Sequence, residues 1–273
     1  MENFGYQKAL KQVGISYLGK HSQSAKMIKN TINHVITYSL YLAPADMSGY
    51  NVCPVSKWCK QFCLNGSGRN KSDILARGFE HSHINRSRIK KTKLFFENNA
   101  LFMQLLMHEL EKTRAYAERN GFGFSVRLNC TSDISPEDFV DPDTGLNILQ
   151  KYPDVVFYDY TKVPTRFTLI ERYPNYHLTF SYNGHNEFMC RKFLAMGGNV
   201  AVVFANQSDL PLRFMGYDVI DGNKDDLRYL DAPAKVVGLH FHTTAANYDK
   251  NGKYIQPNSD FVVRDDNELV EWF

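Results

Sequence analysis

Cys53, Cys59 and Cys63 follow one another as C-x5-C-x3-C within CPVSKWCKQFCLNGSGR, and the only other cysteines are Cys130 and Cys190. Thiolates are soft donors that suit Zn²⁺, Cu(I) or iron–sulfur clusters, and three of them leave a fourth coordination position for something else. Two outcomes follow from that chemistry. With zinc, a further protein ligand such as His81 or His83 closes a structural site; with a [4Fe–4S] cluster, one iron stays open for a substrate or cofactor. An odd number of cysteines, three of them in one loop, does not match the paired framework of a small secreted scaffold, so reduced thiols or thiolate ligands are expected. The plain alternative is a set of buried thiols without metal.

A second set of polar residues stands at the ends of apolar runs. GFSVRLN brings Arg127 and Asn129, with Asp133 just beyond. DVVFYDYTK ends in Tyr160 and Lys162, YHLTFSYN in Ser181 and Asn183, YDVIDG in Asp221, and KVVGLHFH in His240 and His242. If the runs are parallel strands, one end of a sheet collects these residues, and β/α proteins build their sites there. Asp133 and Lys162 are then the candidate catalytic groups, while Arg127, Asn129, Ser181 and Asn183 would hold a cofactor or substrate by charge-assisted hydrogen bonds. Taken singly, each is an ordinary loop-facing residue that satisfies backbone groups.

These residues need a scaffold. HVITYSLYLAP is rich in β-branched and aromatic residues and stops at Pro44, which predicts a first strand directly ahead of the cysteine loop. From Ser72 to Asn120 there is no proline, and Leu101, Leu105, Leu106 and Leu110 recur at helical spacing, which predicts two helices. The later apolar runs, with helical stretches such as NILQKY and NEFMCRKFLAM between several of them, bring the count to about six to eight strands. The expected fold is α/β: a single-domain, partial β/α barrel of mainly parallel strands over residues 31–245. An irregular lead-in at 1–30 and a C-terminal extension at 246–273 flank it. A doubly wound open sheet is the rival, but no G-x-G-x-x-G follows a strand and no P-loop is present.

The chain has no run of eighteen apolar residues, and MENFGYQKALKQVG lacks a secretion-signal layout, so a soluble cytoplasmic protein with no membrane partner is expected. A net charge of +3 does not demand nucleic acid. It permits a local stripe, and RSRIKKTK concentrates five cations, of which Arg86, Lys90 and Lys93 share a helical face that suits phosphate. The plain reading of that run is a solvated surface. HFH at His240 to His242 has the outline of a rolling-circle nickase motif, with Tyr248 the nearby tyrosine.

The order of motifs carries a resemblance. CP-x4-C-x3-C with GSGR after it, RLN-x3-D, YTK, a strand ending in S-x-N, and DG-x3-D-x-R followed by VVGL resembles the bacteriophage gene-product-88 family from about Ile36 to His242. The resemblance implies a phage-encoded protein of the host cytoplasm with a radical-enzyme-like barrel, and some relatives carry a loose link to rolling-circle replication. A cysteine loop directly after the first strand is also similar to radical S-adenosylmethionine enzymes. That likeness implies a [4Fe–4S] cluster on Cys53, Cys59 and Cys63 and S-adenosylmethionine as cofactor. The spacing is wider than their C-x3-C-x2-C, and RLNCTSDIS stands where they carry GGE. Three functions are therefore in view: a metal-binding radical-type enzyme, a zinc-stabilised nucleic-acid-binding protein of phage replication (a nickase included), and a non-catalytic binding protein.

Overall fold

The structure is a computed structural model that describes residues 5–21, 24–206, 208–249, 251–256 and 259–272. Its elements run α1 (Tyr6–Val13), β1 (Gly19–Lys20), α2 (Ala25–Lys29), β2 (Val35–Leu40), α3 (Gly68–Arg77), α4 (His83–Glu97), α5 (Asn99–Arg119), β3 (Gly123–Arg127), α6 (Ile148–Lys151) and β4 (Val156–Thr161). They continue with α7 (Phe167–Arg172), β5 (Tyr176–Ser181), α8 (Glu187–Ala195), β6 (Asn199–Phe204), β7 (Arg213–Phe214), β8 (Tyr217–Asp221), β9 (Val236–His240), β10 (Val262–Val263) and β11 (Val270–Glu271). The predicted strand runs became β2 to β6, β8 and β9.

The parallel strands pair as β2-β3-β4-β5-β6-β9-β8, with Thr37 opposite Ser125 and Tyr160 opposite Thr179. Five strands in chain order, joined by helical crossovers, is a singly wound arrangement, and the order reversal of a doubly wound sheet is absent from it. Strand alternation then sorts the side chains. On one face, Tyr38, Leu40, Val126 and Phe157 join Leu105, Leu106 and Leu110 of α5 in an apolar cluster, and Phe180, Val200 and Val202 meet Phe193 and Leu194 of α8 in a second. Each fully buried Leu or Phe contributes about 1.5–3 kcal/mol. The opposite face is polar: Thr37 and Ser125 share a hydrogen bond of 2.9 Å, with Tyr158 and Arg127 beside them on the same side.

The sheet does not close into a ring. Its edges are β1, antiparallel to β2, and β11, which follows the antiparallel β7 beyond β8. Side chains span the gap between β2 and β8 instead. Lys29 Nζ donates to the Asn223 carbonyl (2.9 Å), Asn33 Nδ2 to Asp225 (3.1 Å), and the Asp226 amide to Asn30 Oδ1 (2.8 Å).

Three further stretches carry more structure than the sequence reading named. The stretch from 72 to 120 holds three helices, because Gly78 ends α3 in an extended, positive-φ conformation and Asn98 caps α5 through Leu101 N. The described residues of the lead-in carry α1, β1 and α2: Ala9 and Leu10 of α1 are buried, and Glu109 of α5 ties α1 and β1 down. The Glu109 carboxylate accepts from Tyr6 Oη (2.7 Å), Tyr38 Oη (2.6 Å), Leu18 N and Gly19 N (both 2.8 Å). Gly19 is needed for that approach, since a Cβ there would lie 2.6 Å from the Tyr38 ring and the Ser39 carbonyl. The C-terminal extension adds strands, β10 on β6 and β11 on β7. No helix among the described residues is long and apolar enough to cross a membrane.

Under this cover Lys91 of α4 is buried, its ammonium 4.4 Å from the Tyr17 ring centre. Burial brings its pKa down to about 7, with Glu109 opposing and Arg88 and Lys20 reinforcing the fall. The folded value lies below the unfolded one of about 10.4, so between these pH values the unfolded chain binds the extra proton and stability rises with pH. Below pH 7 the full cost of the buried charge stands. Lys91→Met is therefore expected to stabilise by about 1–3 kcal/mol at pH 6 and by almost nothing at pH 10, read from urea midpoints at both pH values.

Candidate functional site

The cysteines occupy the connection between β2 and α3, where two short 3₁₀ turns, Lys60–Phe62 and Leu64–Gly66, carry Cys59 and Cys63 at their boundaries. All five cysteines are unpaired; Cys190 is buried and the other four are half-buried. The loop thiols make weak contacts: Cys53 Sγ with the Thr131 carbonyl (3.9 Å), Cys59 Sγ with the Ser56 carbonyl (3.7 Å), and Cys63 Sγ with Asn65 N (3.5 Å). Burial pushes the Cys53 thiol up to about 12, and Cys63, Asp133 and Cys59 add to that through their charges. The Cys63 thiol is also raised by burial and by Cys59, while Arg88 and Lys162 pull it down. The three sulfurs thus sense one another. They are not drawn together as ligands, for among the described residues no three His, Cys, Asp or Glu groups are placed to hold a metal ion. His81 and His83 are exposed near the start of α4, and His83 Nδ1 contacts Arg86 Nη2 (3.1 Å). As a donor set, three soft thiols with cations beside Cys63 fit a thiophilic metal group.

A buried polar network anchors the loop. Asn65 and Asn70 both donate to Asn85 Oδ1 (3.0 and 2.8 Å), and Ser82 Oγ donates to Asn70 Oδ1 (2.7 Å). Arg88 of α4 donates to Asn65 Oδ1 and lies 4.9 Å from the Tyr41 ring centre. The five cations of RSRIKKTK therefore separate by helical phase: Arg86, Lys90 and Lys93 are exposed, while Arg88 is half-buried and Lys91 buried.

The strand-end residues divide into two groups. Asp133 is buried on the helix side, accepting from Thr161 Oγ1 (2.8 Å), Lys162 N (3.0 Å) and Arg166 Nη1 (2.5 Å). Asn129 is likewise spent. Its amide donates to the Ile134 carbonyl and Asp159, and its oxygen accepts from Ser132 and Ile134 N. Both carry hydrogen bonds that hold the local framework. Asp159, held by Asn129, is pushed up to about 6 by burial. Asn183 shapes the turn after β5 by accepting from His185 N (2.9 Å), and the Ser181 carbonyl accepts from Asn186 (2.9 Å). Lys162 lies near Cys63, its ammonium 5.5 Å from the Phe261 ring centre.

Arg127 leads to the centre of the polar face. It donates to Asp226 Oδ2 (2.7 Å), Lys26 reaches Oδ1 (3.0 Å), and the Tyr160 and Tyr158 hydroxyls stand at 3.4 and 3.5 Å. Arg127 also stacks 4.5 Å from the Tyr160 ring centre. The Asp226 side chain is fully buried. Burial by itself would raise its pKa, but Arg127 and Lys26 overturn that and bring it down to about 2. The motif DG-x3-D-x-R contains this residue, yet nothing local marks it as the hub.

A family model described as Gene product 88 matches residues 9–256. The chain belongs to the Gene product 88 family. This is the bacteriophage family its motif order resembles, and the match spans the cysteine loop and all seven parallel strands from β2 to β9. No curated protein and no solved structure matches the chain. In this Gene product 88 chain two cavities flank the sheet. One, of about 420 Å³, adjoins Cys53 and is lined by Val52, Pro54, Phe95, Asp133 and Arg166. The other, of about 340 Å³, lies at the opposite strand ends beside His177, Asn199, Arg228 and Tyr229.

Proposed function

We propose that this Gene product 88 chain is a phage-encoded iron–sulfur enzyme of the radical S-adenosylmethionine type, built on a partial β/α barrel and acting in the host cytoplasm. One observation carries the reading: the cysteine loop follows the first of the parallel strands in chain order, and Cys53 Sγ contacts the Thr131 carbonyl just past the carboxyl end of β3. Cys53, Cys59 and Cys63 would hold a [4Fe–4S] cluster, which when bound supplies an electron for reductive cleavage of S-adenosylmethionine. The chain's own groups do the rest. Lys162 offers a cation beside Cys63 for a carboxylate. Arg127, locked to Asp226, holds the Tyr160 ring in place. Burial raises the Tyr160 phenol, so it stays protonated and donates. Asp133 and Asn129 act by fixing the backbone beneath.

Anaerobic reconstitution is expected to give about four irons and four sulfides per chain with broad visible absorption. Cys53→Ser, Cys59→Ser and Cys63→Ser should each lose most of the iron, and Cys190→Ser should keep it. A colourless protein with one tightly held zinc under the same conditions would overturn the reading. Zinc-stabilised nucleic-acid binding is a second reading, supported by the outward Arg86, Lys90 and Lys93; it requires affinity for DNA that falls steeply with salt and is lost in the triple alanine variant. The Tyr248 ring packs 6.0 Å from the Tyr254 ring centre, with the Lys71 ammonium 5.5 Å from its own centre.

A further inference from the structure

Arg88 of α4 is half-buried against the cysteine loop, where its guanidinium donates to Asn65 Oδ1 and lies 4.9 Å from the Tyr41 ring centre. Among the described residues no carboxylate pairs with it. The groups that act most on its charge are Tyr41, Cys63, Cys130 and Tyr17, with no Asp or Glu among them. Other inward arginines are balanced: Arg127 pairs with Asp226, Arg166 with Asp133, and Arg228 with Asp225 and Asp231. Arginine stays protonated in a protein interior, so the charge of Arg88 calls for an anion.

Asn65 links that charge to a sulfur. Its backbone N–H donates to Cys63 Sγ (3.5 Å), which caps the turn Leu64–Gly66. Asn65 is buried, and its other polar atoms are all engaged: Nδ2 donates to Asn85 Oδ1 (3.0 Å), Oδ1 accepts from Arg88, and the carbonyl accepts from Asn70. The residue is thereby held in one orientation, with its N–H on the sulfur. A donated hydrogen bond and a nearby cation both favour thiolate over thiol and tune a metal bound to it. Three thiolates on a divalent ion leave one negative charge over, and that charge matches Arg88.

We infer that Arg88 is the counter-cation of a metal–thiolate centre in the cysteine loop and, through Asn65, holds Cys63 as its anchored ligand. The inference rests on the proposed function only for a thiolate-bound metal at this loop, and it is independent of which metal that is. Arg88 acts through Asn65, so its effect is on how tightly the metal is held.

The test is titration of the reduced full chain with Co²⁺ in the absence of oxygen, read from sulfur-to-cobalt charge-transfer absorption. Arg88→Met and Arg88→Gln are each expected to weaken Co²⁺ binding about tenfold, the scale on which groups behind a metal ligand act. Gln keeps a donor for Asn65 and loses only the charge, whereas Arg88→Lys keeps the charge and should bind nearly as wild type does. Thr92→Val, on the same helix, strips the Ala43 amide of its acceptor and should lower the urea midpoint with Co²⁺ affinity unchanged. Should Arg88→Met fail to fold, Arg88→Gln still decides the matter. Wild-type affinity in Arg88→Gln, affinities that merely follow the urea midpoints, or no charge-transfer band in the wild-type chain overturns the inference. Iron analysis separates the two ideas: iron uptake with no Arg88 effect on Co²⁺ removes this inference alone, and an Arg88 effect without iron uptake removes the cluster reading while keeping the counter-cation.

Discussion

Asp226→Ala is expected to lower the unfolding free energy by about 3–5 kcal/mol, among the largest losses from any single polar substitution in this protein. The attraction between Asp226 and its partners is largely offset by the cost of burying them. Removing the acid is different, because Arg127 keeps its charge in a site where its Nε already lacks a hydrogen-bond partner. The backbone amide of residue 226 would still reach Asn30, so the loss is electrostatic and not a local unravelling. Urea unfolding measures it. The pH dependence carries the same signature: the folded pKa of Asp226, about 2, lies below the unfolded value of about 3.9. Its contribution is thus complete above pH 4 and fades as pH falls toward 2, and that slope should vanish in the variant. Asp218→Ala, which cuts an exposed pair with Arg213 and Lys235, is the control and should barely move the midpoint. A D226A loss no larger than the D218A one would falsify the hub assignment.

Glu109→Ala should cost a comparable amount, about 3–5 kcal/mol, for a different reason. Four donors converge on that carboxylate, two of them backbone amides at a close chain crossing. Each buried donor left without an acceptor costs about 1–3 kcal/mol, and relaxation recovers part of the sum. Glu109→Gln should recover little, since its amide nitrogen would face donors. Hydrogen exchange is the more specific readout: Leu18 and Gly19 amides should lose protection in E109A well before those of β4. Protection equal to wild type at both amides would show that α1 and β1 are held by apolar contact alone.

These two residues also mark the boundary of what the sequence makes legible. Strands β2 to β6, β8 and β9 were readable because short β-branched, aromatic runs bounded by turn residues need no distant partner to declare themselves. Helix α1 was not. Half of its eight residues are polar and only Ala9 and Leu10 are buried, so its helicity comes from docking on α5 more than from its own composition. The candidate site shows the same divide. A list of polar strand ends names the right neighbourhood, but facing decides function. Asp133 turned to the helix side to meet Arg166, whereas Arg127 turned to the polar face and found an acid 99 residues away. In RSRIKKTK the sequence put Arg86, Lys90 and Lys93 on one face but did not show that the other two cations are drawn inward, Arg88 against the Tyr41 ring and Lys91 against the Tyr17 ring.

The gap between β2 and β8 has a consequence for motion. Every other junction between the parallel strands is a backbone ladder, which opens only at a large share of the global unfolding cost. Here side chains do the joining: three hydrogen bonds, two of them from exposed side chains, beside the pairs of Lys26 and Arg127 with Asp226. This is the sheet's easiest place to breathe. A fluctuation that parts residues 29–33 from 223–225 would give solvent a lateral entrance to the polar face while the ladders and both apolar clusters stay intact. The protein then has a side door whose latch can be weakened one asparagine at a time.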